Sequence, residues 1–350
     1  MNRAFPPEPA ELATVRATSR RIGTDLSLVQ GSGGNTSFKN GNVLWVKASG
    51  TWLSEAEEKN IIVPVDLNKV RSILNSGGCD FQGATLAGEL RPSIETSLHC
   101  QLPQPFVLHV HSVRSIAWSV QKNSRIGLNK ALAGINWRYV PYAKPGTSLT
   151  AEVFRVLAIE TGTPDLLVLE NHGLVIGGDS CESVEGLLSD VEQRLSLTAR
   201  ATPLAKITSL QKAISNLVGW RLPEIEDIHD LALDDQALGI AIGGALIPDH
   251  AVFLEKQVPI CTSPDEILAT LADYRTAYGD NPDWIIVRGA GVILSNRLGS
   301  AGEAQLHGLA AIALRIPSGS EVRYIDENAA SDLNNWDAEI YRKKLDKERS

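Results

Sequence analysis

The most chemically informative residues in this sequence are two histidines, His109 and His111, which stand two positions apart in an apolar run at 106–112. The run predicts a β-strand, and side chains along a strand alternate between its two faces. The two imidazoles would then share one face, while Leu108 and Val110 point into the core. Histidine nitrogen suits Zn²⁺ at about 2.0–2.1 Å, so this pair could bind one metal ion. Two ordinary histidines on a half-buried strand are the alternative.

A third histidine, His172, follows a predicted buried strand at 165–169, in the segment Glu170-Asn171-His172-Gly173. Active-site groups often lie where a strand ends, and a catalytic zinc needs three protein ligands and one open position. Taken alone, His172 is equally typical of a turn beside a glycine. The remaining histidines lack a comparable context: His99, His229, His250 and His307. His172 is therefore the best candidate for a third ligand.

A carboxylate, Glu95, stands near the start of a helix that we expect to begin at Pro92-Ser93, with Ser93 as its N-cap. In the first turn its charge would complement the positive end of the helix dipole, and on sequence alone this is the simpler role. Held near a metal ion, the same carboxylate would be a competent proton-transfer group.

Three short segments could bind an anion through backbone N–H groups or a helix N-terminus. They are the glycine-rich turn at 33–37, the pair Ser49-Gly50 and the helix start at Ser93. The turn is not a nucleotide-phosphate loop, because no Gly-Lys-Ser/Thr follows it. It is not a dinucleotide fingerprint either, because a strand predicted at 42–47 follows it instead of a helix. Each segment alone is also typical of an ordinary turn.

Predicted strands alternate with predicted helices along the chain, which indicates an α/β protein. An amphipathic helix is expected at 11–29, and another at 150–162 with Thr150 as its cap. The pattern Asp179-x-x-Glu182 is typical of a capping box and precedes a strongly periodic helix. A length of 350 residues suggests about two domains, with a boundary expected in the acidic, interrupted stretch around 205–235.

Composition and charge exclude several classes of protein. Lys and Arg number 33 against 41 Asp and Glu, so the net charge is −8, which disfavours nucleic acid and anionic membranes as partners. The sequence contains no run of about 18 apolar residues, so no membrane span is predicted. The four cysteines lie far apart, which argues against disulfides and a cysteine metal site. The first eleven residues lack the apolar core of a secretory signal, so a cytoplasmic location is expected.

Taken together, the motifs resemble the class II aldolase/adducin family over about residues 25–200. The matching segments are Gly34-Asn35-Thr36-Ser37, Lys47-Ala48-Ser49-Gly50, Pro92-Ser93-Ile94-Glu95, His109-Val110-His111-Ser112 and Asn171-His172-Gly173. Three later segments, at 247–250, 288–291 and 335–337, resemble the C-terminal extension of the aldolase part of bifunctional rhamnulose-1-phosphate aldolase/dehydrogenases.

The resemblance implies a three-layer α/β/α catalytic domain with a largely antiparallel central sheet, over 1–220, and a smaller α/β extension over 221–350. It also implies a homotetramer with sites near subunit interfaces. The zinc ligands would be His109, His111 and His172, with Mn²⁺ or Co²⁺ as possible replacements. Glu95 would be the catalytic acid or base. The residues that would hold the substrate and its phosphate are Asn35, Lys47, Ser49, Gly50 and Ser93.

The activity that the resemblance implies is a zinc-dependent lyase, an aldolase that cleaves a ketose phosphate or sugar acid phosphate through a metal-stabilised enediolate. A sugar-phosphate epimerase or a 3-oxo sugar acid phosphate decarboxylase on the same site is the alternative. A non-catalytic, adducin-like scaffold is a further alternative. The sequence departs from the family pattern at Ile94, where a second serine often stands. It also offers no tyrosine between His111 and Trp137 as a proton donor.

Overall fold

A computed structural model describes residues 6–159, 162–215, 217–254 and 257–349. The larger of its two sheets has seven strands in the order β3-β2-β1-β4-β7-β6-β5. The strands are β1 (Asn35–Asn40), β2 (Val43–Lys47), β3 (Ile62–Asp66), β4 (Phe106–Val110), β5 (Trp137–Val140), β6 (Leu166–Leu169) and β7 (Gly173–Gly178). Of the six neighbouring pairs, β5–β6 is parallel and the others are antiparallel.

Strand β1 begins inside the segment that the sequence suggested was only a glycine turn. Its residues, Asn-Thr-Ser-Phe-Lys-Asn, are mostly polar and carry little of the β-branched or aromatic signal that marks a strand. It nevertheless lies between β2 and β4 near the middle of the sheet. Tertiary pairing on both edges therefore outweighs its weak local preference.

Helices cover both faces of this sheet. The helices of this part of the chain are α1 (Glu11–Gly23), α2 (Leu67–Asn75), α3 (Thr96–Gln101), α4 (Val113–Ser119), α5 (Ser124–Ala131), α6 (Thr147–Leu157) and α7 (Cys181–Arg194). One apolar cluster joins α1, α5 and α7 to one face, and two others join α2, α3 and α6 to the opposite face. The arrangement confirms the expected three-layer α/β/α fold.

A smaller α/β unit follows in the C-terminal part of the chain. Its four strands have the order β8-β11-β10-β9. They are β8 (Trp220–Arg221), β9 (Ile260–Cys261), β10 (Trp284–Val287) and β11 (Gly291–Ser295). Its helices are α8 (Ile207–Ile214), α9 (Asp230–Leu233), α10 (Asp235–Gly243), α11 (Pro248–Phe253), α12 (Ile267–Tyr278), α13 (Ser300–Arg315), α14 (Glu327–Asn334) and α15 (Asp337–Arg349).

The two parts of the chain share an apolar cluster. Val113, Ile116 and Val120, in and after α4, are buried together with Leu306 and Leu309 of α13. Burial of large aliphatic side chains contributes about 1.5–3 kcal/mol each, so this contact is a strong attachment. It brings the C-terminal helices close to the residues that follow strand β4.

The prediction that a helix starts at Pro92-Ser93, with Ser93 as its N-cap, is wrong. Helix α3 begins at Thr96, with Glu95 at its capping position and no side-chain cap. The backbone N–H of Ser93 donates instead to the carbonyl of Lys47, at 3.0 Å. This link to the end of β2 keeps residues 92–95 outside the helix.

Two other predicted helix starts are displaced. Helix α6 begins three residues before Thr150, which therefore lies inside it. The capping box of α7 is formed by Ser180 and Ser183 instead of Asp179 and Glu182. Both helices exist, but α6 also ends at Leu157, five residues before the predicted end at 162.

All four cysteines are free, in agreement with the expectation of no disulfide framework. In the part of the chain that the structure describes, no helix is long and apolar enough to cross a membrane.

Gly173 provides a direct test of how the sheet positions residue 172. A Cβ atom at Gly173 would lie 2.2 Å from the carbonyl oxygen of Val110 on the neighbouring strand. We expect Gly173→Ala to lower the free energy of unfolding by about 1–3 kcal/mol, because the backbones must separate. Gly186→Ala, in open space on α7, is the control and should stabilise by roughly 0.5–1 kcal/mol. Equal urea unfolding curves for the two variants would contradict this account.

Candidate metal and substrate site

Three histidines meet at one end of the central sheet. His109 lies on β4, His111 directly follows this strand, and His172 lies in the turn between β6 and β7. Because β4 and β7 are antiparallel neighbours, the end of one strand lies beside the start of the other. The Nε2 atoms of His109 and His111 are 3.1 Å apart, and one ligand atom from each of the three rings lies within 4.8 Å of the others.

The three rings are buried and suited to a divalent metal ion. Burial lowers the pKa of His172 to about 3 and also lowers the pKa of His109. Both rings are therefore neutral near pH 7, which is the form that binds metals. Zinc–nitrogen bonds in a tetrahedral site would place two nitrogens roughly 3.3 Å apart, close to the distance between His109 and His111. The donor set thus fits a borderline cation such as Zn²⁺.

Glu95 faces the histidines and does not cap the helix. Its Oε2 is 3.4 Å from Nε2 of His109, and its Oε1 is 3.6 Å from Nε2 of His172. The Asn35 amide donates to Oε2 at 2.8 Å. Burial alone would raise the pKa of Glu95, but His109, His172 and the Asn35 amide lower it to about 2. The carboxylate is therefore ionised and directed at the cluster.

A single pocket contains all the residues expected to hold the substrate. Glu95, His111 and His172 line it together with Asn35, Lys47, Ser49, Gly50 and Ser93. His109 lies beneath them, fully buried, with its Nδ1 donating to the Leu174 carbonyl at 2.8 Å. Ile94 also lines the pocket, so the position of the missing second serine presents an apolar side chain.

The backbone groups expected to bind an anion are partly engaged within the protein. The N–H of Ser49 donates to the Arg91 carbonyl, and the N–H of Gly33 donates to the Gln30 carbonyl. The N–H of Ser93 is likewise engaged, as described above. An anion in this pocket would therefore meet side-chain hydroxyls before these three N–H groups.

Lys47 holds the glycine-rich turn from inside. Its ammonium group donates to the carbonyls of Ser32 and Gly34, at 2.8 Å each. Burial lowers the pKa of Lys47 to about 7, with the nearby Arg342 contributing in the same direction. The side chain is thus both a structural support of the turn and a cation on the pocket wall.

Three residues that line the pocket come from the C-terminal part of the chain: Pro248, Asp249 and Arg342. Asp249 lies on α11 and Arg342 on α15, and the two form an ion pair at 2.8 Å. The sequence around Asp249 or Arg342 does not indicate a place in the site, since single Asp and Arg residues are common in helices. The only indication in the sequence is the segment at 247–250, whose resemblance to a C-terminal extension assigns no role to Asp249.

Asn171 is a further residue with a positioning role. It has a positive φ of 53°, which is uncommon for a residue other than glycine. Its amide donates to the carbonyls of Leu246 and Arg323, at 2.8 Å each. The turn that carries His172 is therefore tied to the C-terminal part of the chain.

The lowered pKa of Lys47 predicts how stability depends on pH. The unfolded chain, with a lysine pKa near 10.5, binds more protons than the folded protein between pH 7 and 10. The free energy of unfolding should therefore rise with pH in this range, relative to Lys47→Met, by about 1 kcal/mol per pH unit. Urea unfolding of both proteins at pH 7, 8, 9 and 10 measures the difference. A constant difference would contradict a neutral or partly neutral lysine in the folded state.

Comparisons with known proteins extend these observations. Residues 13–198 match the model of the class II aldolase and adducin N-terminal domain. The chain is 29% identical over 284 residues to an uncharacterized oxidoreductase, YuxG, of Bacillus subtilis, covering 69% of this chain and 41% of that protein. It is 28% identical over 168 residues to an L-fuculose phosphate aldolase of Methanococcus maripaludis, covering 45% of this chain and 80% of that enzyme.

Among solved structures, the class II aldolase domain of a conserved protein from Thermoplasma acidophilum is 25% identical, with a TM-score of 0.47. The match covers 56% of this chain and 97% of that domain. The chain spans about two fifths of the length of the Bacillus relative. The family match covers more than half of the chain and includes Glu95 and the three histidines. This protein belongs to the class II aldolase/adducin family.

Proposed function

We propose that the chain is a metal-dependent carbon–carbon lyase of the aldolase type, acting on a ketose phosphate or a sugar acid phosphate. The observation that supports this most is the buried convergence of His109, His111 and His172 with the ionised Glu95 beside them. A scaffold has no need for three convergent imidazoles and a carboxylate in one buried pocket. The L-fuculose phosphate aldolases among the relatives support the same choice.

The metal would be held by His109, His111 and His172, and we propose Zn²⁺, with Mn²⁺ or Co²⁺ as replacements. When bound, such an ion acts as a Lewis acid toward a carbonyl or hydroxyl oxygen of the substrate. The protein contributes three imidazole donors and a buried site in which electrostatic interactions are strong. Glu95 is close enough to His109 and His172 to act on the same part of a substrate.

Glu95 would move the proton that the reaction requires. In aldol cleavage the C4 hydroxyl loses its proton to solvent, the C3–C4 bond of the ketose breaks with its electron pair on the C3 fragment, and C4 becomes an aldehyde carbon. The C3 fragment must then gain a proton, and the reverse reaction must remove it. An ionised carboxylate fixed by Asn35 is placed to exchange this proton, a role that usually contributes a factor of 10²–10⁴ in rate.

The anionic end of the substrate would be bound by other residues that line the same pocket. Ser49, Gly50 and Ser93 are among them, and the Asn35 amide donates to the Ser93 hydroxyl as well as to Glu95. Because the chain carries a net charge of −8, a positive potential for an anion must be produced locally. Lys47, inside the glycine-rich turn, is a local source of such potential.

A sugar-phosphate epimerase on the same site is the second candidate, because Lys47 lines the pocket beside Glu95 and the histidines. We further propose that residues 1–220 are the catalytic domain and 221–350 an extension, and that the chain assembles as a homotetramer in the cytoplasm. Sedimentation of the purified protein measures the assembly directly.

The proposed metal site is tested by His109→Ala against His307→Asn as control. His307 lies on α13, outside the cluster. We expect the wild-type protein and the control to keep one zinc per chain after dialysis. We expect His109→Ala to lose the zinc, because only two of the three imidazole ligands remain. Metal content by elemental analysis gives the result. A wild-type protein that binds no divalent metal would favour the scaffold.

The proposed role of Glu95 is tested by Glu95→Gln. This variant keeps the size of the side chain and should retain metal, but hydrogen–deuterium exchange at the carbon next to the ketose carbonyl should slow by at least ~10²-fold. A panel of ketose phosphates and sugar acid phosphates, monitored for aldehyde and CO₂ release, identifies the substrate for this assay. Unchanged turnover and exchange in the variant would rule out the role.

A further inference from the structure

Asp249 approaches the three-histidine cluster from outside the residues that match the family model. It lies in the first turn of α11 and is 2% exposed. Its Oδ2 is 3.3 Å from Nδ1 of His111. The other ring nitrogen of His111, Nε2, faces His109. The carboxylate therefore lies behind the imidazole, on the side away from the proposed metal position.

The Asp249 side chain is held from two other helices. Arg342 of α15 donates to its Oδ1 at 2.8 Å, and Gln305 of α13 donates to its Oδ2 at 3.3 Å. Arg342 is itself fixed by Glu339 and by the Ser32 hydroxyl. A carboxylate with these partners cannot move away from His111 without breaking several buried hydrogen bonds.

The glycine-rich turn packs directly on the contact between Asp249 and His111. A Cβ atom at Gly33 would lie 2.8 Å from Nδ1 of His111 and 3.0 Å from Oδ2 of Asp249. A side chain at this position would therefore separate the two groups or displace the turn. The absence of a side chain here lets the turn cover the contact closely.

The three histidines differ in what faces their Nδ1 atoms. His109 donates to a backbone carbonyl, that of Leu174. Neither His111 nor His172 has a hydrogen bond at Nδ1 among the described residues. Within this cluster, His111 is the ring whose Nδ1 faces a carboxylate, that of Asp249 at 3.3 Å. This carboxylate is therefore placed to fix the orientation of the His111 ring.

We propose that Asp249 is a positioning residue for His111, and that the C-terminal part of the chain thereby completes the metal site of the same chain. The inference rests on the proposed function, since it assigns a role toward the metal. A carboxylate that accepts the Nδ1 proton fixes the tautomer whose Nε2 lone pair is free to bind a metal. It also orients the ring and increases the basicity of the ligand nitrogen.

The test is the zinc affinity of Asp249→Asn, measured by competition with a chromogenic chelator on the purified full chain. Loss of such a carboxylate typically weakens metal binding 10–100-fold, and we expect a change in this range. The matched control is Glu303→Gln, which alters a buried carboxylate of α13 that pairs with Arg221, outside the network that holds Asp249. We expect the control to change the zinc affinity little.

The outcomes separate this inference from the proposed function. If the wild-type protein binds no zinc, both fail. If the wild type binds zinc and Asp249→Asn binds it equally well while unfolding at a lower temperature, Asp249 has only a structural role and the inference alone fails. If both variants weaken binding equally, the effect is one of general charge, and the inference also fails.

A measurement on the wild-type protein covers the case in which Asp249→Asn does not fold. In a crystal structure of the zinc-loaded chain, Nε2 of His111 should coordinate the zinc. An oxygen of Asp249 should lie within hydrogen-bond distance of Nδ1 of His111. An Asp249 oxygen bound to the zinc itself, or a carboxylate turned away from His111, would overturn the inference.

Discussion

The antiparallel pairing of β4 with β7 is the constraint on which the rest of the site depends. It places the end of one strand next to the turn that precedes the other, so that residues 109, 111 and 172 share a small volume. The close backbone approach at Gly173 makes this spacing strict. Because burial keeps His109 and His172 neutral near pH 7, these two rings can lie close together without electrostatic repulsion.

The C-terminal part of the chain forms one wall of this site. Helix α4 follows directly after His111 and packs on α13 through aliphatic side chains. The amide of Asn171 donates to the backbone carbonyls of Leu246, before α11, and Arg323, before α14. Helix α15 lies against the turn at Gly50, where a Cβ atom would come within 2.6 Å of Leu345. The N-terminal and C-terminal parts of the chain are thus connected next to the histidines.

Much of this arrangement could be predicted from the sequence, because it follows from patterns within short segments of the chain. Alternation along a strand places His109 and His111 on one face, and the family motifs bring in His172 and Glu95. The polar strand β1 could not be recognised, because its pairing partners are distant in sequence and outweigh its composition. The start of α3 was misplaced for a similar reason, since the backbone bond from Ser93 to Lys47 is a tertiary contact.

The role of Asp249 and Arg342 also lay beyond prediction. They are 138 and 231 residues from His111 in sequence, and nothing in their own surroundings indicates which part of the fold they contact. Only the packing of α11, α13 and α15 brings them to the cluster. A search restricted to the segment that matches the family would therefore describe the three histidines and omit the groups that contact one of them.

X-ray absorption at the zinc edge of the zinc-loaded protein measures whether three imidazoles of one chain bind the metal ion. We expect three imidazole nitrogens at about 2.0–2.1 Å from the zinc, with one or more further oxygen ligands and no sulfur. A sulfur shell, or a spectrum of oxygen ligands without the multiple scattering of imidazole rings, would contradict it.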